Sequence, residues 1–271
     1  VSNLLSMADV SSNNFPSNIT AKQLRAKLQQ MWDAGFRVLG VKCTEGTTYV
    51  WDLSHQVCAI WHSFGGIVNH YHFGHPGSVA SGRAQADFFF NHVNGDWRKG
   101  DSWTFDAETK GESASEVNAF ADRLLDGYHF ASDFFTYGGP YFLRDNHIVA
   151  HRGSMLWLAD YDDHVVFVPP SWHAWSIWQH TDKGSVPGLG HADLSIMKPE
   201  VIHLHLVRGD NNFAVERMAK LLKQHGYRGF LVNQKFGLGK RRAVKKFQAK
   251  HGWHQNGEVN AHMWQVLDKA A

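Results

Sequence analysis

The chain has 271 residues, with 27 Lys+Arg against 25 Asp+Glu, 43% hydrophobic and 19% charged residues, which fits one large globular domain or a mid-sized and a small one. Its 18 Phe, 11 Trp and 7 Tyr exclude a disordered chain, and no apolar run approaches the roughly 18 residues of a membrane span. Two cysteines, Cys43 and Cys58, exclude a disulfide framework and are too few for a thiolate zinc site, so buried free thiols are expected.

Leu4 to Val10 reads as a strand, followed by a helix over Thr20 to Ala34 that a Thr20-x-x-Gln23 capping box opens and Gly35 closes. Arg37 to Cys43 reads as a second strand, residues 52–64 as a weaker helix, and Gly66 to Phe73 as a third strand. A helix over 79–93 leads to the strand Trp103 to Glu108. A second capping box, Ser113-x-x-Glu116, begins a helix through Val117, Phe120, Ala121 and Leu124. Phe134 to Tyr137, Met155 to Tyr161, Trp175 to His180 and Ala192 to Ile196 read as further strands. Repeated strand-helix units predict a mostly parallel α/β sheet or barrel.

Charge changes sign near residue 208. Residues 1–207 hold 14 Lys+Arg against 21 Asp+Glu, a balance of −7, whereas 208–271 hold 13 against 4, a balance of +9. An asymmetry of this size marks a domain boundary, here between a body over 1–200 and a tail over 208–271. The tail reads as three helices. Val215, Met218, Ala219 and Leu222 form one apolar face that ends before Gly226; Ala243, Val244 and Phe247 lie on a second helix that stops at Gly252; a third starts from Asn260 as N-cap and buries Met263, Trp264 and Leu267. The basic run Gly239 to Phe247 is read as a solvated helix face in preference to a nucleic-acid patch.

In a barrel, chemistry gathers at the C-terminal ends of the strands. The residues there are Asp9, Glu45, Tyr71 with His72, Asp106 with Glu108, Tyr137, Asp160 with Tyr161, Trp178 with Gln179, and Asp193. Most are acidic or aromatic, and no Ser-His-Asp set is among them. Asp106 and Glu108 are two positions apart on a strand, so both side chains leave the same face about 6 to 7 Å apart. Two such carboxyls repel each other's charge, so one stays protonated near neutral pH while the other is ionised, the pairing that supplies a general acid for glycoside cleavage.

Six ordered blocks carry a resemblance to a known family: Ala8-Asp9-Val10-Ser11, Val41 to Thr47 (VKCTEGT), Tyr71-His72-Phe73, Phe105-Asp106-Ala107-Glu108, Leu156 to Ala159 (LWLA), and Trp178-Gln179 through Gly184 to Gly188 to Asp193-Leu194. Over residues 5 to 197 the chain resembles glycoside hydrolase family 25, the N-acetylmuramidase lysozymes of bacteria and their phages. The resemblance implies a TIM-like (β/α)5(β)3 barrel that cleaves the β-1,4 bond between N-acetylmuramic acid and N-acetylglucosamine without a cofactor or metal. It implies Glu108 as general acid, Asp106 as the carboxylate that orients the acetamido group, Asp9 and Asp193 as further acids of the cleft, and Tyr71 near the reacting sugar. His75-Pro76 stands where that family often has Arg-Pro. The tail, over residues 226 to 267, resembles the peptidoglycan-binding domain 1 family through Gly226-Tyr227, Phe236-Gly237, Ala243-Val244-x-x-Phe247-Gln248, Gly252, Gly257-x-Val259 and Trp264-x-x-Leu267.

For Glu45 a loop-fixing role stands beside substrate contact, and Tyr137, Trp157 and Trp178 are read either as sugar platforms or as core. His70-x-His72 and His203-x-His205 offer metal-ligand spacings, but no H-E-x-x-H helix accompanies them. The expectation is a monomeric two-domain muramidase that acts on bacterial peptidoglycan and neither binds nucleic acid nor inserts into membranes. No basic segment followed by an apolar core opens the chain, which favours a phage endolysin held in the host cytoplasm before lysis over a secreted autolysin whose signal peptide was removed. The competing readings are a non-catalytic wall-binding lectin and a zinc-dependent amidase using His70 and His72.

Overall fold

Strand-forming runs separated by capped helices close into a barrel in the computed structural model, which describes residues 4–130 and 133–270. The strands are β1 (Leu5–Val10), β2 (Val38–Glu45), β3 (Tyr49–Val50), β4 (Ile67–Phe73), β5 (Ser102–Asp106), β6 (Phe134–Gly138), β7 (Met155–Ala159), β8 (Ile177–Val186) and β9 (Gly190–Met197). Their order is β1-β9-β8-β7-β6-β5-β4-β2, and β1 also pairs with β2, which closes the ring at eight strands. The two-residue β3 folds back antiparallel on the end of β2 and lies outside the ring. β9 runs antiparallel to both its neighbours, and each neighbouring pair from β4 through β8 is parallel. This is the expected (β/α)5(β)3 arrangement. The five helices are α1 (Ala21–Asp33), α2 (Ser54–Ser63), α3 (Val79–Val93), α4 (Ala114–Asp122) and α5 (Pro140–Asp145).

The Thr20 capping box forms in full: Thr20 N–H donates to Gln23 Oε1 at 2.9 Å, and Gln23 N–H to Thr20 Oγ1 at 3.3 Å. The Ser113 box forms only by half. Ser113 accepts from Glu116 N–H, but the Glu116 carboxylate accepts instead from Gly77 N–H at 2.8 Å and from Gln85 Nε2 at 2.9 Å. Tertiary partners outbid the local cap because Glu116 is fully buried. The fifth helix had no clear sequence signal, because α5 has only six residues and starts at Pro140 after an uncapped Gly139.

Alternation along the strands sorts the core into two layers. Leu39, Val41 and Cys43 of β2, Trp103 and Phe105 of β5, and Leu156 and Leu158 of β7 belong to the large cluster that also contains Leu24 and Leu28 of α1, Trp61 of α2 and Phe89 of α3. The alternate residues point into the barrel. Gly40 is one of them, and a Cβ there would stand 2.6 Å from Asp9 Cβ and 3.0 Å from the Trp157 ring, so a glycine is required where β1, β2 and the Trp157 side chain converge.

The tail has its own core. α6 (Phe213–Gln224), α7 (Leu238–Lys250) and α8 (Ala261–Leu267) bury Met218, Leu222, Val244, Phe247, Met263, Trp264 and Leu267. Asn212 and Asn260 cap α6 and α8 by accepting from Val215 N–H and Met263 N–H.

Outside the barrel a polar cluster pins β4, the β5 entry and α2 together. Asp101, 4% exposed, accepts from Val68 N–H at 2.9 Å and Arg98 N–H at 2.8 Å and contacts His62 Nε2 at 3.0 Å and His70 Nε2 at 3.3 Å. Burial pushes its carboxyl up, but the hydrogen bonds from His62 and His70 win and hold it down at about 2, against an ordinary 3.8. The resulting stabilisation is therefore full above pH about 4 and is lost as pH falls toward 2. Asp101→Asn is expected to lower unfolding stability by about 2 to 4 kcal/mol at neutral pH, and denaturant titrations are expected to show that difference shrinking at pH 3.

Candidate active site

A cleft of about 170 Å³ opens at the C-terminal ends of the parallel strands. β1 contributes Asp9, β4 Tyr71, β5 Asp106, β6 Tyr137, β7 Trp157 and β8 Gln179. Glu108 lies two residues past the end of β5, which stops at Asp106 and not at Glu108 as the sequence suggested. β9 adds Asp193, and Lys42 of β2 is the only cationic side chain lining the cleft among the described residues. The antiparallel course of β9 is what brings Asp193 here: Ala8 of β1 pairs with Leu194, so Asp9 and Asp193 meet across the seam.

The four carboxyls differ in depth. Asp9 and Asp106 are 6% and 7% exposed, Asp193 is half-buried and Glu108 opens to solvent. Burial, followed by the charge of Asp193, pushes Asp9 well up, while the Gln179 amide, donating to Asp9 Oδ2 at 3.2 Å, draws it back. Burial and then the charges of Glu108 and Glu112 push Asp106 well up. Glu108 is raised by loss of solvent and then by Asp193. Asp193 is raised by burial and lowered by its hydrogen bond with Asp9. Lys42 pulls both Asp106 and Glu108 down. A cleft with this charge balance retains protons well above the range of isolated carboxyls.

Two residues that the sequence left without a role temper the charge of this set. Gln179, 2% exposed, accepts from Tyr137 Oη at 2.7 Å and from Tyr161 Oη at 2.9 Å, which turns its amide N–H toward Asp9. Lys42 lies with its Nζ 2.6 Å from Glu45 Oε2 and 4.3 Å from the centroid of the Phe73 ring. The available sequence signal for Lys42 was parity: it shares the inward face of β2 with Gly40, two residues away. Parity could not show that its charge would act on Asp106 of β5 and on Glu108 just beyond that strand.

Glu45 and Trp178 are not among the residues lining the cleft. Glu45 bridges Lys42 and His75 Nε2, the latter at 2.9 Å, and Trp178 donates Nε1–H to Asp160 O at 2.6 Å. Tyr71 and Tyr137 both meet the buried Trp157 edge to face, with centroids 6.2 and 5.2 Å away, so Trp157 forms the floor. His70 and His72 alternate with Tyr71 and point to the helix layer. Thr44 Oγ1 and Gln85 Oε1 engage the two nitrogens of His72 at 2.7 and 3.0 Å, and Cys43, Cys58 and Asp101 surround His70. Both thiols are free. His203 pairs with Asp268 and His205 with Glu258.

Comparison with known proteins gives two family matches: residues 8–189 match the glycosyl hydrolases family 25, and residues 212–267 match a peptidoglycan binding domain family. An N,O-diacetylmuramidase of Chalaropsis sp is 28% identical over 185 residues, covering 61% of this chain and 86% of that protein. Among solved structures, the CTP1L endolysin superposes with a TM-score of 0.59 at 22% identity over 85% of each chain. A muramidase from Acremonium alcalophilum gives 0.55 at 23% identity over 72% of this chain and 93% of its own.

Replacing the cleft's cation tests its electrostatics directly. Lys42→Met is expected to move the carboxyl titrations of Asp106 and Glu108 further upward, since both lose the cation that draws them down, read by carbon-13 NMR, with Lys42→Arg close to the parent.

Proposed function

The chain belongs to glycosyl hydrolase family 25, and from that membership we propose that its barrel hydrolyses the β-1,4 bond between N-acetylmuramic acid and N-acetylglucosamine in peptidoglycan. The observation that carries the mechanism is the unequal depth of two neighbouring carboxyls: Glu108 open at the cleft mouth, Asp106 buried behind it, and both raised above the ordinary carboxyl range. Glu108 in its protonated form reaches the glycosidic oxygen and gives its proton to the leaving sugar. Asp106 Oδ1, buried and without a hydrogen-bond partner among the described residues, accepts from the acetamido N–H of the muramic acid. That contact fixes the acetamido group under the anomeric carbon, where either its carbonyl oxygen or a water completes the displacement. Asp9 and Asp193 share a hydrogen bond, and their joint negative charge faces the positive charge that develops on the sugar ring. Tyr71 and Tyr137 line the walls against which the ring lies.

The tail supplies wall attachment. Its +9 against the body's −7 directs the basic module toward an anionic wall and leaves the acidic barrel free to act on the glycan. A barrel and a wall-binding tail on one chain, together with the fold likeness to an endolysin, support a phage lysin that works on the host wall from inside the cell.

Digestion of purified peptidoglycan is expected to create reducing ends of N-acetylmuramic acid, identified by mass spectrometry. N-acetylglucosamine at those ends would make the enzyme a glucosaminidase and overturn the assignment. Glu108→Gln is expected to lower kcat by roughly 10² to 10⁴ at a thermal stability no lower than the parent's, and undiminished lysis by this variant would remove Glu108 from the acid role. Added salt is expected to weaken wall binding by the full chain far more than it slows cleavage of a small soluble muropeptide; equal sensitivity would separate the charge split from attachment.

A further inference from the structure

Four of the tail's 13 Lys and Arg side chains converge on one place. A cavity of about 560 Å³ between the end of α6 and the middle of α7 is lined by Arg228, Arg242, Lys245 and Lys246, with Tyr227 beside them and no acidic side chain. The tail's four carboxylates are engaged elsewhere: Asp268 with Arg217 and His203, Glu216 with Lys220, Glu258 with His205, and Asp210 with Val207 N–H. None of the four lining cations makes an ion pair among the described residues. Arg228 is nevertheless held in place, its Nη1 donating to Lys223 O at 2.6 Å and to Tyr227 O at 3.0 Å. Gly226 and Gly229, at φ of +89° and +87°, have open space where a Cβ would stand, so this wall of the cavity is bare backbone.

Building on the wall-binding reading above, we propose that this cavity is the tail's binding site for the peptide stem of peptidoglycan, taken through its carboxylates. A glycan whose lactyl groups are all amide-linked to peptide carries no charge along its backbone, so the anionic groups of peptidoglycan lie on the stem. Cations that converge on a cavity suit a short ligand with a few closely spaced carboxylates, whereas a phosphodiester polymer is matched by a stripe of cations along a surface. The volume lies in the range of small-ligand pockets. The Arg228 and Arg242 forks can each take a carboxylate through two parallel hydrogen bonds, and Tyr227 supplies an apolar wall for the side chains of the stem.

The test compares two full-length variants of equal charge. Arg242→Ala/Lys245→Ala/Lys246→Ala empties the cavity of mobile cations; Lys220→Ala/Lys223→Ala/Lys250→Ala removes the same three charges from outside it. Sedimentation with peptidoglycan freed of phosphate polymers is expected to show about tenfold weaker binding for the cavity variant and less than about twofold for the control, both with parental circular dichroism and parental cleavage of a soluble muropeptide. Free stem tetrapeptide is expected to displace the wild-type protein, and polyphosphate at matched ionic strength is not. Equal losses in the two variants would reduce the effect to net charge and overturn the site. Displacement by polyphosphate but not by tetrapeptide would make it a phosphate site and overturn the ligand assignment. If the wild-type protein sediments only with walls that keep their phosphate polymers, the stem site falls while wall attachment stands; if it sediments with neither, the wall-binding reading falls and the site with it.

Discussion

Four carboxyls at one end of a closed barrel cannot all be ionised together, and the arrangement of the body follows from that constraint. Charges of one sign a few ångströms apart in a partly dry cleft repel by several kcal/mol, so the barrel must either retain protons or supply a counter-charge. It does both. Lys42 alone among the lining residues brings positive charge, and its position is fixed from behind by Glu45. Gln179, oriented by two tyrosine hydroxyls, supplies a neutral N–H to Asp9. Burial first, and the remaining repulsion after it, appear as raised carboxyls, the state in which a general acid is useful near neutral pH. Glu45 therefore acts at one remove from the cleft, through the lysine it holds.

Closure of the barrel is what makes the cluster possible. Strands in a sheet lie about 4.8 Å apart, so residues at neighbouring strand ends meet whatever their separation in sequence. Asp9 and Asp193 are 184 positions apart in the chain and share a hydrogen bond because β9 enters between β8 and β1 in the opposite direction. Gly40 is the steric counterpart of this closure, since any side chain there would strike Asp9 and Trp157.

The parts of this arrangement legible in the sequence are those that depend on local pattern. The eight barrel strands, four of the five helices around them and the three helices of the tail follow from apolar periodicity and caps, and the D-x-E pair follows from period-two alternation in β5. What depends on strand neighbours was not legible from pattern alone. Glu116 looked like half of a capping box, yet its carboxylate is claimed by Gly77 and Gln85 from elsewhere in the chain. Trp178 looked like a cleft aromatic because it sits at a strand end, but its indole N–H is held by the Asp160 carbonyl of the adjacent segment. Lys42 and Gln179 carried no signal of their role, because a lysine or glutamine on a buried strand acquires one only from partners on other strands.

Asp101 and Asp106 show how one residue type serves opposite ends within a single sheet. Asp101, outside the ring, receives two backbone N–H groups and faces two imidazoles, so its carboxyl is depressed and its stabilisation is present above pH about 4. Asp106, inside, is buried with one oxygen without a partner among the described residues, and burial, then the charges of Glu108 and Glu112, raise its carboxyl. The sign reverses with it: its contribution is most favourable below its ordinary value of 3.8 and is lost as pH rises through the raised one. At neutral pH the cleft therefore works against folding while the His62-Asp101-His70 cluster works for it. The large apolar layer between strands and helices carries the difference, which is how a barrel can tolerate an end that is poised for chemistry and poorly satisfied as structure.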